Sequence, residues 1–252
     1  MMNAVAFIAA MELEIRPFLR RIGRHRRDRV GRFTCFRFEL LGQECILIQT
    51  GVGIARATEA ARALLSARRP ALVVSFGIAG APQEGLEIGD LVVARSVRLL
   101  KAGTLGPVRS LVSLSDGAYR AVKKALLPTG ARVSQGSVIT TWGEQPPASA
   151  GMRMEAPVLE METAGIAEVC AEEGIPLISL RAISDSVREP LPFALPDFLD
   201  DRQQLMIGKL GAAVLGRPTL LPALLRLSTN ARRAADNAAA AALAAVMEQM
   251  RE

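Results

Sequence analysis

The run Ala71-Leu72-Val73-Val74-Ser75-Phe76, set between Arg69-Pro70 and Gly77, constrains the fold more than any other segment. Apolar and β-branched side chains follow one another with no polar side to turn toward water. Such a run reads as a strand buried on both faces. A strand of that kind needs helices above and below it, and the flanking sequence offers them. Residues 4–9 are another short apolar run, followed by helical composition over 12–21. Residues 33–40 and 44–49 read as paired strands around the turn Leu41-Gly42-Gln43. Residues 54–67, rich in Ala, Leu and Arg, read as a helix closed by Arg69-Pro70. Strands are predicted over 91–97, 132–140 and 177–184. Helices are predicted over 116–127, capped by Ser115 or Asp116, and over 163–173, stopped by Gly174 and Pro176.

Strands alternating with crossover helices predict an α/β fold with a central mixed, mostly parallel sheet flanked by helices. The chain has 252 residues, near the upper limit for one hydrophobic core, and no segment reads as a linker, so a single domain over 1–252 is expected. A core over 2–190 precedes a tail over 196–252. Its Ala-rich stretch, 231–250, predicts extra C-terminal helices, two or three in all, because Ala has the highest helix propensity.

Composition excludes several classes. Apolar residues make up 50% and charged residues 22%, which excludes a disordered chain, a collagen-like fibre and a small disulfide scaffold. No run of about 18 apolar residues occurs, so no membrane-spanning helix is expected. The N-terminus reads as a first strand and not as a secretory signal. Three cysteines, Cys35, Cys45 and Cys170, sit in apolar runs without metal spacing. They read as buried thiols of a cytoplasmic protein. The net charge is +6, and much of the excess lies in segment 20–29, where arginines surround His25. That run is either a solvated helix end and loop or a surface for an anionic partner. Aromatics are only 4%, which argues against stacking on single-stranded nucleic acid. With His25 the sole histidine and no ligand cluster, no metal is implied.

In open α/β sheets ligands collect beyond the C-terminal ends of strands. Those ends carry Met11-Glu12-Leu13-Glu14, Thr50-Gly51-Val52-Gly53, Gly77-Ile78-Ala79-Gly80, Thr140-Thr141-Trp142-Gly143-Glu144, Glu160-Met161-Glu162 and Ser184-Asp185. Carboxylates and glycine turns thus meet on one edge. The glycines either let a backbone approach a ligand or simply allow tight packing. Gly51-Val52-Gly53 is not a dinucleotide fingerprint, since Arg56 occupies the third glycine's place. Glu162 is either a clamp for a diol, accepting from two hydroxyls, or a helix N-terminal acid held by the dipole. Glu14 and Asp185 are each a solvated acid or a catalytic one.

Together, Ala10-Met11-Glu12-Leu13-Glu14, Gly77-Ile78-Ala79-Gly80, Leu159-Glu160-Met161-Glu162-Thr163 and Arg181-Ala182-Ile183-Ser184-Asp185 resemble the nucleoside phosphorylase/nucleosidase superfamily. The pattern is most similar to methylthioadenosine/S-adenosylhomocysteine nucleosidases and spans about residues 2 to 190. The resemblance implies a nucleoside phosphorylase-like fold, a homodimer, no cofactor and cleavage of a purine nucleoside's N-glycosidic bond. It implies that Glu14 positions or activates water, and that Asp185, with Ser184 beside it, protonates the purine N7. Glu162 would hold the ribose hydroxyls, Met161 would pack on the ribose, and Glu160 would lie at the same pocket. Met11, Val52 and Gly80 would line the substrate, and Trp142 is either a base-stacking residue or a core residue.

The sequence also departs from that pattern. Ile78 replaces the usual Ser, and the Trp142 segment replaces the usual Ser-Gly-Asp stretch. Asp185 to Arg188, Leu191-Pro192 and Gly216-Arg217-Pro218 to Leu227 look like the hopanoid-associated phosphorylases, which act on an adenosylated lipid. A lipid substrate would give segment 20–29 a peripheral membrane role. Futalosine hydrolase is a third similar member. Phosphorolysis needs an anion site, and Glu14 would repel phosphate while Arg16 and Arg56 would attract it; like-charge repulsion favours water. A non-catalytic nucleoside-binding protein is the further alternative.

Overall fold

The computed structural model describes residues 4–144, 154–189 and 221–252. Its centre is β5 (Leu72–Ala81), grown from the apolar run and buried along its first six residues. β5 lies between β1 (Val5–Ala9) and β11 (Leu177–Ser186) and is parallel to both. Beyond β1 come parallel β4 (Gln43–Gln49), then antiparallel β3 (Phe33–Leu40) and β2 (Arg26–Val30). Beyond β11 come antiparallel β6 (Leu91–Lys101), then parallel β9 (Val133–Thr140) and β10 (Pro157–Glu160). Short strands β7 (Thr104–Leu105) and β8 (Arg109–Ser110) pair with β6. β10 then meets β5 again, antiparallel, at Leu159 and Gly80. This half of the sheet therefore curls into a ring of β5, β11, β6, β9 and β10. The closure gathers the ends of β5, β10 and β11 at one place.

Side chains alternate across the sheet and divide the core into two layers. Phe7, Val74, Phe76 and Leu180 face α1 (Glu12–Ile22), α3 (Asp116–Leu126) and α5 (Leu221–Gln249). Ala6, Ile8 and Val73 face α2 (Ile54–Ala67) and α4 (Thr163–Glu172). Both faces of the central strands are covered, as the apolar run requires. Ser115 caps α3 as expected, its Oγ accepting from the Ala118 N–H at 3.1 Å.

Four details differ from the sequence reading. β5 runs through Gly77–Gly80 instead of stopping there, because β11 pairs with it along that length. Segment 20–29 is not a helix end and loop throughout. Arg20 and Arg21 end α1 and pair with Asp236, whereas Arg26–Val30 forms the edge strand β2. Its exposed arginines suit an edge, since charge there discourages pairing with another chain. β10 was not foreseen, being only four residues long. One tail helix, α5, is seen among the described residues; Leu191-Pro192 and Gly216-Arg217-Pro218 lie outside them. In α5, Ala234, Ala235, Ala238, Ala241, Ala242 and Ala245 are fully buried, and their small size lets the helix lie close against α1, α3 and β11.

The first layer holds an aromatic cluster. Phe18 stacks on Phe76 at 5.1 Å between centroids and tilts against Phe7 at 4.8 Å. Phe18 is fully buried, so Phe18→Ala removes a whole ring from a closed core. The expected loss is about 3–5 kcal/mol of unfolding free energy, read as a lower urea midpoint.

Candidate active site

Glu14 sits at the third position of α1, and its carboxylate turns back to the helix start. Oε2 accepts from the Ala10 and Met11 N–H groups at 2.9 and 2.8 Å, the latter forming half of a capping box. Oε1 accepts from the Ile78 N–H of β5 at 3.0 Å. The side chain is buried, and burial raises its proton affinity above the ordinary Glu value, opposed by those backbone donors and by Arg181. A Cβ on Gly77 would collide with this carboxylate.

Asp185 occupies the matching place at Gly80, where an added Cβ would lie 2.5 Å from Oδ2. The two glycines thus make room for two acids. Asp185 is turned there by a β-bulge. Ile183 pairs with Ala79 of β5, the register then slips, and Asp185 pairs with Gly80. Bulges of this kind re-aim a side chain. Ser184 Oγ donates to Asp185 Oδ1 at 2.7 Å. Burial raises the proton affinity of Asp185, and the Ser184 bond opposes this. Gly77 and Gly80 are three residues apart on one strand, roughly 10 Å along its axis.

β10 brings a third acid to this end of β5, because Leu159 pairs with Gly80 and Glu162 follows three residues later, lining a cavity with Glu14. Glu162 is the cap residue of α4, yet its side chain makes no cap bond. Its Oε1 instead accepts from the Gly53 N–H at 2.8 Å, where Gly53 has φ of 102°, a conformation that favours glycine. Burial and then the charge of Glu160 raise its proton affinity. Glu160 itself is 5% exposed and fully engaged within the protein. It accepts from Thr140 Oγ1 at 2.5 Å, Thr163 Oγ1 at 2.7 Å, the Thr163 and Glu162 N–H groups, and Arg181 Nη2 at 3.1 Å. Arg181, 3% exposed, also donates to Ser75 Oγ and Thr163 Oγ1, both at 2.8 Å. Glu14, Glu162, Arg181, Thr50, Ser75 and Ile78 line one small cavity beside β5.

Glu14, Glu160, Met161, Glu162, Gly80, Ser184 and Asp185 therefore gather around the ends of β5, β10 and β11. Met11 is partly buried at the start of α1, and Val52 is buried in the turn before α2. Trp142 is 41% exposed just past β9, which removes the core alternative. Its loop is held by Glu144, whose carboxylate accepts from the Ala102 and Gly103 N–H groups. Arg56 is folded over the Gly51 turn, its Nε donating to Thr50 O at 3.1 Å. Arg181 and Ser75 went unassigned in the sequence. The signal was there, since a guanidinium inside an apolar strand has to find partners.

The family model of the phosphorylase superfamily matches residues 4–215. The chain belongs to that superfamily. This member is 26% identical over 212 residues to a 5′-methylthioadenosine/S-adenosylhomocysteine nucleosidase of Actinobacillus succinogenes, covering 77% of this chain and 91% of the relative. It is 26% identical over 220 residues to the enzyme of the same name from Bacillus thuringiensis, covering 78% and 91%. Its fold matches the nucleosidase of Neisseria meningitidis, solved with methylthio-immucillin-A, at a TM-score of 0.69 and 21% identity, covering 98% and 99% of the two chains. Futalosine hydrolase of Helicobacter pylori matches at a TM-score of 0.69 and 17% identity, covering 97% of each.

A raised proton affinity in the fold is also a statement about stability. Between the unfolded Asp value and the higher folded one, the native state binds more protons, so stability falls as pH rises through that window. Asp185→Asn removes this penalty while keeping an acceptor for Ser184. The variant is expected to be more stable than wild type at pH 7 and to gain nothing at pH 3, as measured by urea unfolding at the two values.

Proposed function

We propose that the chain is a purine nucleosidase, hydrolysing the N-glycosidic bond of a 5′-substituted adenosine and releasing adenine. One observation carries the reading: buried Glu14 and half-buried Asp185 stand against Gly77 and Gly80 of one strand, and a third acid, Glu162, lines a cavity together with Glu14. The names of the similar nucleosidases support it. Breaking the C–N bond puts positive charge on the ribose and negative charge on the purine. Asp185, whose proton affinity burial raises, gives its proton to N7 of the leaving base. Glu14, ionised, takes a proton from water on the other side of the ribose, a division of labour shared with glycosidases. Glu162 holds the ribose 2′ and 3′ hydroxyls, so that remote binding becomes orientation of the reacting carbon. Met161 packs on the ribose, Trp142 stacks on the base, and Met11, Val52 and Gly80 complete the lining. Glu160 acts by holding Arg181 and α4 in place.

Water is favoured over phosphate as the nucleophile. The cavity at Glu14 carries two carboxylates, and the Arg181 guanidinium beside them is already bonded to Glu160, Ser75 and Thr163. An incoming dianion meets like charge there. The protein functions as a homodimer in the cytoplasm and uses no cofactor or metal.

The test is release of free purine from methylthioadenosine, S-adenosylhomocysteine, adenosine, inosine and futalosine, each with and without phosphate. Base released without phosphate is expected. Release only with phosphate, accompanied by ribose-1-phosphate, would replace hydrolysis by phosphorolysis. Tight binding without release would leave a binding protein, and release only from an adenosylated lipid would move the substrate to the membrane. Glu14→Gln and Asp185→Asn are each expected to lower kcat by about 10²–10⁴-fold with the fold intact. In wild type, kcat should fall on the alkaline side as Asp185 loses its proton, at a pH above the ordinary Asp value. An alkaline limb unchanged in a partially active Asp185 variant would remove Asp185 as the acid.

A further inference from the structure

Asn237 is a polar residue in the middle of the Ala-rich face of α5, and it is 2% exposed. An amide in that setting needs a partner, because an unbonded one is costly to bury. Its Nδ2 donates to Gly89 O at 2.7 Å. Gly89 belongs to the loop 82–90 that leads into β6, and it holds φ of 92°. An added Cβ there would lie 2.8 Å from Arg233 Nε and 3.3 Å from Asn237 Nδ2, so α5 is seated directly on this residue.

The bonds continue from Gly89 toward the site. The Gly89 N–H donates to Ile183 O at 2.8 Å, and the Ile183 N–H donates to Asp90 O at 2.9 Å. Pairing of β6 with β11 ends at Leu91 and Ala182, so these two bonds are what hold β11 on that side at Ile183. The register against β5 slips immediately afterwards, and the slip aims Asp185 at Gly80. The rest of the loop is equally fixed. Asp90 is buried and accepts from the Glu87 N–H at 3.0 Å, the Arg132 N–H at 2.9 Å, and Arg132 Nη2 at 2.6 Å. Arg132 Nη2 also donates to Gly85 O at 2.9 Å, and Arg233 Nη2 to Thr129 O at 3.1 Å.

We propose that Asn237 is a positioning residue for the reaction: by fixing Gly89 it clamps Ile183 and sets the bulge that carries Asp185. The proposal rests on the reading of Asp185 as the acid. Asn237 touches neither substrate nor reacting atoms; it acts through the backbone of loop 82–90. A buried amide is otherwise out of place on a face of packed alanines, and its Nδ2 bond goes to this loop. Loss of that bond frees Gly89 O and loosens the two bonds at Ile183. Asp185 then samples positions off the line to the purine N7, and transfer of its proton slows while the ribose contacts at Glu162 persist.

The experiment compares wild type, Asn237→Ala, Asn237→Ser, Ala241→Gly and Asp185→Asn. Ala241→Gly weakens the same helix at a buried position away from Gly89 and serves as the control for mere destabilisation. Asn237→Ser keeps a donor on a small side chain and serves if the alanine variant folds poorly. Two quantities are read on the folded proteins: kcat and KM for base release, and amide hydrogen exchange of peptides covering 180–186. Asn237→Ala is expected to lower kcat about tenfold or more with KM little changed, a pattern in line with a small misplacement of a reacting group. Exchange at Ile183 should accelerate, Asn237→Ser should fall between, and Ala241→Gly should show neither effect. Wild-type kcat and exchange in Asn237→Ala, with Asp185→Asn inactive, would overturn the proposal at Asn237. The same losses in Ala241→Gly would overturn it in favour of general destabilisation. Full activity in Asp185→Asn would overturn it at its premise, by removing the acid itself.

Discussion

A guanidinium buried in the middle of β11 organises the site. Arg181 is in a strand whose preceding members are apolar or small, and it is 3% exposed. Such a charge is tolerable only when paired and saturated with acceptors. Its partners come from Ser75 on β5, Glu160 on β10 and Thr163 on α4, and Glu160 in turn gathers Thr140 from β9. Four separate elements are therefore tied to one cation. Their meeting is also what lets β10 return to β5 and close the ring. Glu162 follows Glu160 by two residues, so the position of its carboxylate is inherited from this pair.

The same site shows what the fold gives up for its chemistry. Three of its carboxylates, Glu14, Glu162 and Asp185, are held where burial disfavours their charge. Glycine stands at each close approach, Gly53 under Glu162, Gly77 under Glu14 and Gly80 under Asp185. Any larger residue at Gly77 or Gly80 would improve neither packing nor strand propensity without displacing an acid. The glycines thus serve the protein's own carboxylates, and they serve a ligand only through them.

Much of this was legible in the sequence, for identifiable reasons. The run 71–76 has no polar face, and it became the central strand. The ends of strands were the right places to look, since Glu14, Glu162 and Asp185 all lie there. Other features were illegible because they depend on distant partners. β10 is too short for a periodic signal, and it exists because β9 and β5 both pair with it. The arginines of segment 26–30 carry no strand pattern, and the pairing with β3 imposes one. Glu160 looked like a pocket residue beside Glu162. Only its five donors, drawn from β9, β11 and the start of α4, reveal a structural partner of Arg181.

The charge balance of the site points in one direction. The charges of Glu160 and Glu14 both act on Glu162, and Arg181 is the cation that offsets Glu14 and Glu162. Burial raises the proton affinities of Glu14 and Glu162, and at Glu162 the charges of Glu160 and Glu14 add to the effect. A ribose becoming positively charged is the partner this arrangement lacks. As the C–N bond lengthens, positive charge grows beside carboxylates already fixed by backbone N–H groups, and no dipole has to reorient. The leaving purine becomes negative, and Asp185, whose proton affinity burial raises, is the acid proposed to meet it.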